Sequence, residues 1–109
     1  MSEITINKEN AKSIFTALLN GHDGLIIKPN NDVVYTTASD KKKGFSCGEL
    51  HTIVNGYFEI VPIQGTELIA VCDEEGKLKE KPINHVASLL IDNDYFVGDI
   101  LICHNSMVK

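Results

Sequence analysis

The chain has 109 residues, 43% hydrophobic and 23% charged, a composition typical of one globular domain and not of a disordered chain. Ten lysines against fifteen acidic residues give a net charge of −5, which argues against a protein held to nucleic acid mainly by phosphate contacts. The sequence contains no arginine, so the usual bidentate group for phosphate or carboxylate is missing.

The first half of the chain predicts two helices on either side of a β-hairpin. Apolar residues recur at helical spacing over about residues 11–19, and Asn20-Gly21 supplies a helix stop. Residues 25–27 and 33–37 are short apolar runs around a turn, a pattern typical of a hairpin. Ser46 and Glu49 then have capping-box spacing, which predicts the second helix.

The second half predicts two strands, a third helix and a last strand. The strands cover residues 57–63 and 68–72, and the helix follows Pro82, with apolar residues at helical spacing up to Ile91. The last strand, residues 100–103, is wholly apolar and is expected at the centre of a sheet. The order α-β-β-α-β-β-α-β predicts a single α+β domain with one small, mainly antiparallel sheet.

The net charge belongs to one half of the sequence. Residues 1–55 hold six lysines and six acidic residues, whereas residues 56–109 hold four lysines and nine acidic residues. This asymmetry predicts an acidic face contributed by the second half. The simpler interpretation is a solvated surface that aids solubility.

Cysteine usage and the N-terminus indicate a cytoplasmic protein. The three cysteines are odd in number and form no close pairing pattern, which disfavours a secreted disulfide framework. The first residues lack the pattern of a secretory signal, and no apolar run approaches the roughly 18 residues needed to cross a bilayer. We therefore expect no membrane partner.

Cys47 and His51 are the nearest approach to a metal signature. They lie four residues apart, on one face of the predicted second helix, as ligands on a helix require. No C-x-x-C motif supports them, and the alternative is that the cysteines pack as small hydrophobic residues. Neither a metal nor any other cofactor is expected.

Cys72-Asp73, Glu74 and His85 are close enough in sequence to suggest a nucleophile with a base and an acid. However, Cys72 closes an apolar strand, where a buried inert thiol is more common. No nucleophile elbow or oxyanion motif accompanies these residues. No catalytic residue is predicted.

Three short segments resemble a known family. They are NGYFE at residues 55–59, DEEGKL at residues 73–78 with Pro82 and Asn84 following, and VGDIL at residues 97–101. In this order they resemble domain-of-unknown-function family 3846, found mostly in phages, plasmids and other mobile elements. The likeness covers about residues 24–105, which implies a helical extension at residues 1–23 before an α+β domain at residues 24–109.

The resemblance implies a context, a small intracellular accessory protein of a mobile element or its host, and no activity. The family tends to have glycine where Asn55 stands and asparagine where Asp73 stands. The motif glycines are predicted at turns that need positive φ, so the motifs are first of all structural. If they also form a ligand site, it is expected where Glu75, Asn84 and Asp99 converge, and the favoured alternative is a structural Asn84, because turn asparagines usually bond to the backbone. The ligand-binding or turn candidates are Gly56, Tyr57, Asp73, Glu75, Gly76, Asn84, His85, Gly98 and Asp99.

The leading hypothesis is a non-enzymatic accessory protein that binds a host protein or a small ligand and does not bind nucleic acid directly. One version is an inhibitor of a host defence factor, presenting its acidic face to a basic nucleic-acid channel. The alternative is a small enzyme acting on a nucleotide or other anionic metabolite, with Glu75, Asn84, His85 and Asp99 around its pocket. A third interpretation is assembly through an exposed sheet edge or the N-terminal helix, and the oligomeric state is left open.

Overall fold

The computed structural model describes residues 5–108, so residues 1–4 of the predicted extension and Lys109 lie outside the described residues. Within them the predicted order of helices and long strands is confirmed. The elements are α1 (Ala11–Leu19), β1 (Gly24–Ile27), β2 (Val33–Thr36), α2 (Cys47–Val54), β3 (Phe58–Pro62), β4 (Leu68–Asp73), β5 (Ile83–Asn84), α3 (His85–Ser88), β6 (Phe96–Val97), β7 (Ile100–His104) and a 3-10 turn (Asn105–Met107).

Five antiparallel strands form the main sheet in the order β2-β1-β7-β4-β3. The predicted central position of the last strand is confirmed, since β7 lies between β1 and β4. Its four apolar residues, 100–103, are fully buried because both faces of the central strands are covered.

Each face of the sheet has its own apolar core. On one face, Phe15 of α1 packs with Leu25 and Ile102. On the other face, Leu50 of α2 packs with Leu101. Helix α1 therefore belongs to the same core as the sheet, while the domain boundary at residue 23 stays a prediction.

The predicted capping box at the start of α2 is present. The N–H of Glu49 donates to Ser46 Oγ at 3.1 Å, and the Glu49 carboxylate accepts from the Ser46 N–H at 3.0 Å. Helix α1 ends at Leu19, with Asn20 as its C-cap and Gly21 following at φ 82°. Among the helices of residues 5–108, none is long and apolar enough to span a membrane.

The predicted third helix is wrong in extent. Residues 83–84 form β5, which pairs with β6 in a separate two-stranded sheet, and α3 covers four residues. The side-chain oxygen of Asn84 accepts from the Ala87 N–H, so the helix can begin only after Asn84. The apolar residues at helical spacing are therefore divided between β5 and the short helix α3 with the residues after it. Ala87 and Leu90 are buried, whereas Ile83 is 47% exposed.

Candidate functional site

The family-like segments meet at the end of β4, around the buried carboxylate of Asp73. Its side chain is 1% exposed and lies 2.8 Å from the ammonium groups of both Lys79 and Lys81. The backbone N–H of Glu75 donates to its other carboxylate oxygen at 2.9 Å. We refer to Asp73, Lys79 and Lys81 as the Asp73 cluster.

The cluster keeps Asp73 ionised. Burial alone would raise the pKa of this carboxyl, but hydrogen bonds from Lys79, Lys81 and the Glu75 backbone outweigh burial and lower the pKa to about 2. A buried carboxylate paired in this way accepts no proton near neutral pH, so it is unsuited to general acid catalysis.

The motif glycines serve close packing more than positive φ. Of the three, only Gly98 has positive φ, at 72°, and the left-handed residue beside Gly56 is Asn55. A Cβ on Gly56 would lie 2.7 Å from the carboxyl of Asp73, and one on Gly76 would lie 2.8 Å from the Val97 side chain. The expectation of positive φ is wrong for Gly56 and Gly76. Glycine is favoured at these two positions because a side chain would come too close to a neighbouring residue.

Lys81 connects the cluster to the end of α2. Its ammonium donates to the carbonyls of Val54 at 2.9 Å and Asn55 at 3.3 Å. A Cβ on Gly98 would lie 2.9 Å from the Lys81 side chain. The three family-like segments thus meet where the ion pairs of the Asp73 cluster join the end of α2, the end of β4 and the turn between β6 and β7.

Asn84 is wholly buried and bonded to three separate parts of the backbone. Its amide nitrogen donates to the carbonyls of Ile27 at 2.8 Å and Gly98 at 2.9 Å, and its oxygen accepts from the Ala87 N–H at 3.1 Å. Both amide hydrogens are used within the protein, which favours the expected alternative of a structural asparagine.

The structure gives the remaining ligand candidates different surroundings. Asp99 lies 3.8 Å from Lys28 and lines a cavity of about 430 Å³ that neither Glu75 nor Asn84 lines. Glu75 is half-buried, and His85 is exposed at the start of α3. No hydrogen bond or ion pair within residues 5–108 joins Glu75, Asn84 and Asp99, so their shared ligand site stays a prediction.

Cys47 and His51 have different environments. Cys47 is exposed, whereas the His51 ring makes edge contacts with Tyr57 at 5.6 Å and Phe58 at 5.3 Å between ring centroids. The Tyr57 carbonyl accepts from the Glu74 N–H at 2.8 Å, and its side chain is 66% exposed. In residues 5–108, no three His, Cys, Asp or Glu residues group as metal ligands do.

The two buried cysteines are poor nucleophiles. Burial, with a smaller contribution from nearby Glu59 and Asp73, raises the pKa of the Cys72 thiol to about 11. Burial raises the pKa of Cys103 to about 12. Because the thiolate is the reactive form, neither thiol is activated near neutral pH.

Sequence reasoning missed a group of acidic residues around a small cavity beside the Asp73 cluster. The cavity measures about 130 Å³, and we refer to Glu59, Glu74 and Asp94, which line it, as the acidic surface. Lys77 pairs with Asp94 and lies 4.1 Å from the ring centroid of Tyr95. The charge asymmetry of the sequence located these residues in the second half but could not bring the three together.

The comparisons with known proteins give a family without an activity. A family model described as a domain of unknown function, DUF3846, matches residues 22–107, close to the 24–105 expected from the motifs. No curated protein and no solved structure matches the chain. With most of its length matched by the family model, the chain belongs to the DUF3846 family.

Proposed function

We propose that this protein is a non-enzymatic accessory protein of a phage or other mobile element, or of its bacterial host, and that it binds a basic host protein in the cytoplasm. The observation that carries the proposal is the acidic surface, which gathers exposed carboxylates from three separate segments around one cavity. Direct binding to nucleic acid is disfavoured by the same charges.

The charges of the acidic surface are only partly neutralised. Asp94 pairs with Lys77, but neither Glu59 nor Glu74 forms an ion pair within residues 5–108. Tyr95, 45% exposed, adds an aromatic side chain of the kind enriched in protein interfaces. Carboxylates beside an exposed tyrosine are suited to a partner surface rich in lysine or arginine.

A protein partner is favoured over a nucleotide or other metabolite at this position. The cavity, at about 130 Å³, is smaller than the roughly 300–1,000 Å³ typical of small-molecule pockets. The buried carboxylate in its lining is also engaged, since Asp73 is shared by two lysines and the Glu75 N–H. At this cavity, its size and these contacts favour a protein partner over a small molecule.

Capture from a host lysate tests the proposal with two charge-matched variants. The test variant combines Glu59→Gln and Glu74→Gln, and the control combines Glu9→Gln and Glu80→Gln, exposed residues outside the cavity lining. We expect wild type and control to retain a basic protein that the test variant loses. Retention by wild type should also fall as salt rises from about 0.1 M to 0.5 M, because salt screens exposed charges.

Two results would contradict the proposal. One is a folded wild-type protein that captures nothing the test variant fails to capture. The other is equal retention by test and control variants, which would place the contact elsewhere on the surface. Thermal unfolding of all three proteins checks that lost capture does not reflect lost folding.

A further inference from the structure

Strand β2 leaves one edge of the main sheet open. It pairs with β1 on one side, and no strand within residues 5–108 pairs with its other side. Val33, Val34 and Tyr35 are 40%, 44% and 48% exposed, although the His22 ring stacks on Tyr35 at 3.7 Å between ring centroids. Residues 33–37 carry no charge.

The hairpin hydrogen bonds show which backbone groups point outward. The Lys28 N–H donates to the Asp32 carbonyl at 2.8 Å, and inward and outward groups alternate along an antiparallel strand. Val34 and Thr36 therefore bond towards β1, while Val33 and Tyr35 direct their N–H and C=O groups away from the sheet. Such a row is a template for another strand.

Open edges in natural sheets are commonly protected by charged side chains, proline or a bulge. The opposite edge has such residues, since β3 carries Glu59 in its interior and ends at Pro62. The β2 sequence VVYT has none of these features, and its four residues pair with β1 in unbroken register.

We propose that β2 pairs antiparallel with β2 of a second copy of this chain, about a two-fold axis at Val34. Val33 of each copy then faces Tyr35 of the other, and their outward groups form four backbone hydrogen bonds. Val34 meets Val34 of the second copy on the opposite face. The two five-stranded sheets become one continuous sheet of ten strands.

Charge favours a second copy as the occupant of this edge. Asp32 precedes β2, while the Lys41 ammonium lies 3.8 Å from Asp23, next to the start of β1 and thus at the other end of β2. The Lys41 side chain is 76% exposed although it lies beside Asp23, and antiparallel pairing brings it towards Asp32 of the other copy. The Glu59 edge is four strands away, about 19 Å at normal strand spacing, so the acidic surfaces stay apart.

Sedimentation equilibrium of the full chain tests this pairing with charged residues at position 34. Wild type should show a concentration-dependent mass rising from 12.0 kDa to twice that value. Val34→Lys and Val34→Glu should each raise the dimer dissociation constant about tenfold or more, because like charges then face each other. An equimolar mixture of the two variants should recover the dimer, since the introduced lysine of one copy meets the introduced glutamate of the other.

Ile60→Lys, on the opposite edge and 41% exposed, is the matched control and should dimerise as wild type does. Three results would overturn the proposal: a wild type that stays at monomer mass up to about 1 mM, a dimer unaffected by Val34→Lys, or a variant mixture that stays monomeric. The first result would make an extended segment of another protein the remaining occupant of this edge. Dimerisation does not depend on the acidic surface, so the Glu59→Gln and Glu74→Gln variant should still dimerise.

Discussion

The two edges of the main sheet differ in the chemistry that faces a neighbouring strand. The β2 edge is uncharged and apolar, with its outward backbone groups unprotected. The β3 edge carries Glu59 and ends at Pro62, beside the acidic surface. One sheet therefore offers two kinds of contact, strand pairing on one side and charge on the other.

The two sides are also fixed to the rest of the domain by different interactions. Asn84 holds the β1 end of the β1–β2 hairpin through neutral hydrogen bonds, including one to the Ile27 carbonyl. The Asp73 cluster holds the β3–β4 side through ion pairs to the buried Asp73 carboxylate. Neutral and ionic anchors respond differently to pH, so substitutions and acid can separate them.

The largest loss is expected from Asn84→Ala. The substitution leaves the Ile27 and Gly98 carbonyls and the Ala87 N–H buried without their partner, which costs roughly 4 kcal/mol of unfolding free energy. Urea unfolding at neutral pH measures it. The exposed Asn105→Ala is the control and should change stability by less than about 0.5 kcal/mol. A loss below about 1 kcal/mol would mean that Asn84 does not anchor the hairpin.

A somewhat smaller loss, about 3 kcal/mol, is expected from Asp73→Ala, because it leaves the mostly buried Lys81 without its carboxylate. Urea unfolding again measures it. Asp92→Ala, which removes the exposed pair with Lys8, should have a much smaller effect.

Gly56→Ala sharpens the same prediction. Its Cβ would meet the Asp73 carboxyl at 2.7 Å, so this substitution should cost less in the Asp73→Ala background than in wild type. Strictly additive losses would contradict the close packing of Gly56 on Asp73.

Acid should weaken the ionic anchor and leave the neutral one intact. The folded pKa of Asp73 is about 2, below its ordinary value of 3.8, so its stabilisation is present above about pH 4 and is lost as pH falls towards 2. The loss is roughly 2 kcal/mol. Stability measured from pH 6 to pH 2 should fall less steeply in Asp73→Asn than in wild type. Asn84→Ala should keep the wild-type slope, and equal slopes in wild type and Asp73→Asn would contradict the assignment.

Local patterns allowed much of this fold to be predicted. The Ser46–Glu49 capping box and the central position of the apolar strand at residues 100–103 depend on neighbouring residues and on composition. Both could therefore be recognised without knowing which segments meet in space.

The parts that were missed depend on contacts between distant residues. Asn84 bonds to Ile27, 57 residues away in the sequence, so its structural role could be favoured from its residue type but this partner could not be predicted. The pairing of Ile83 with Val97 overrides a helical apolar pattern. The Asp73 carboxyl leaves no room for a side chain at Gly56, and this contact is not visible in the sequence. A rule based on turns therefore predicted a positive φ at Gly56 where close packing is the reason for glycine.

The smallest effect on monomer stability is expected from a lysine on either sheet edge. Val34 and Ile60 are 44% and 41% exposed, so Val34→Lys and Ile60→Lys should each change the unfolding free energy of dilute protein by less than about 0.5 kcal/mol. The two variants should differ only at higher concentration, because a dimer of folded chains stabilises the folded state by mass action.

Thermal unfolding measured over a hundredfold concentration range can therefore separate the two edges. Wild type and Ile60→Lys should gain stability as concentration rises, whereas Val34→Lys should not. A large loss for Val34→Lys in dilute protein would mean that β2 contributes to the fold more than its exposure indicates. If the unfolding temperature depends on concentration in Val34→Lys but not in Ile60→Lys, the copies pair through β3 and not through β2.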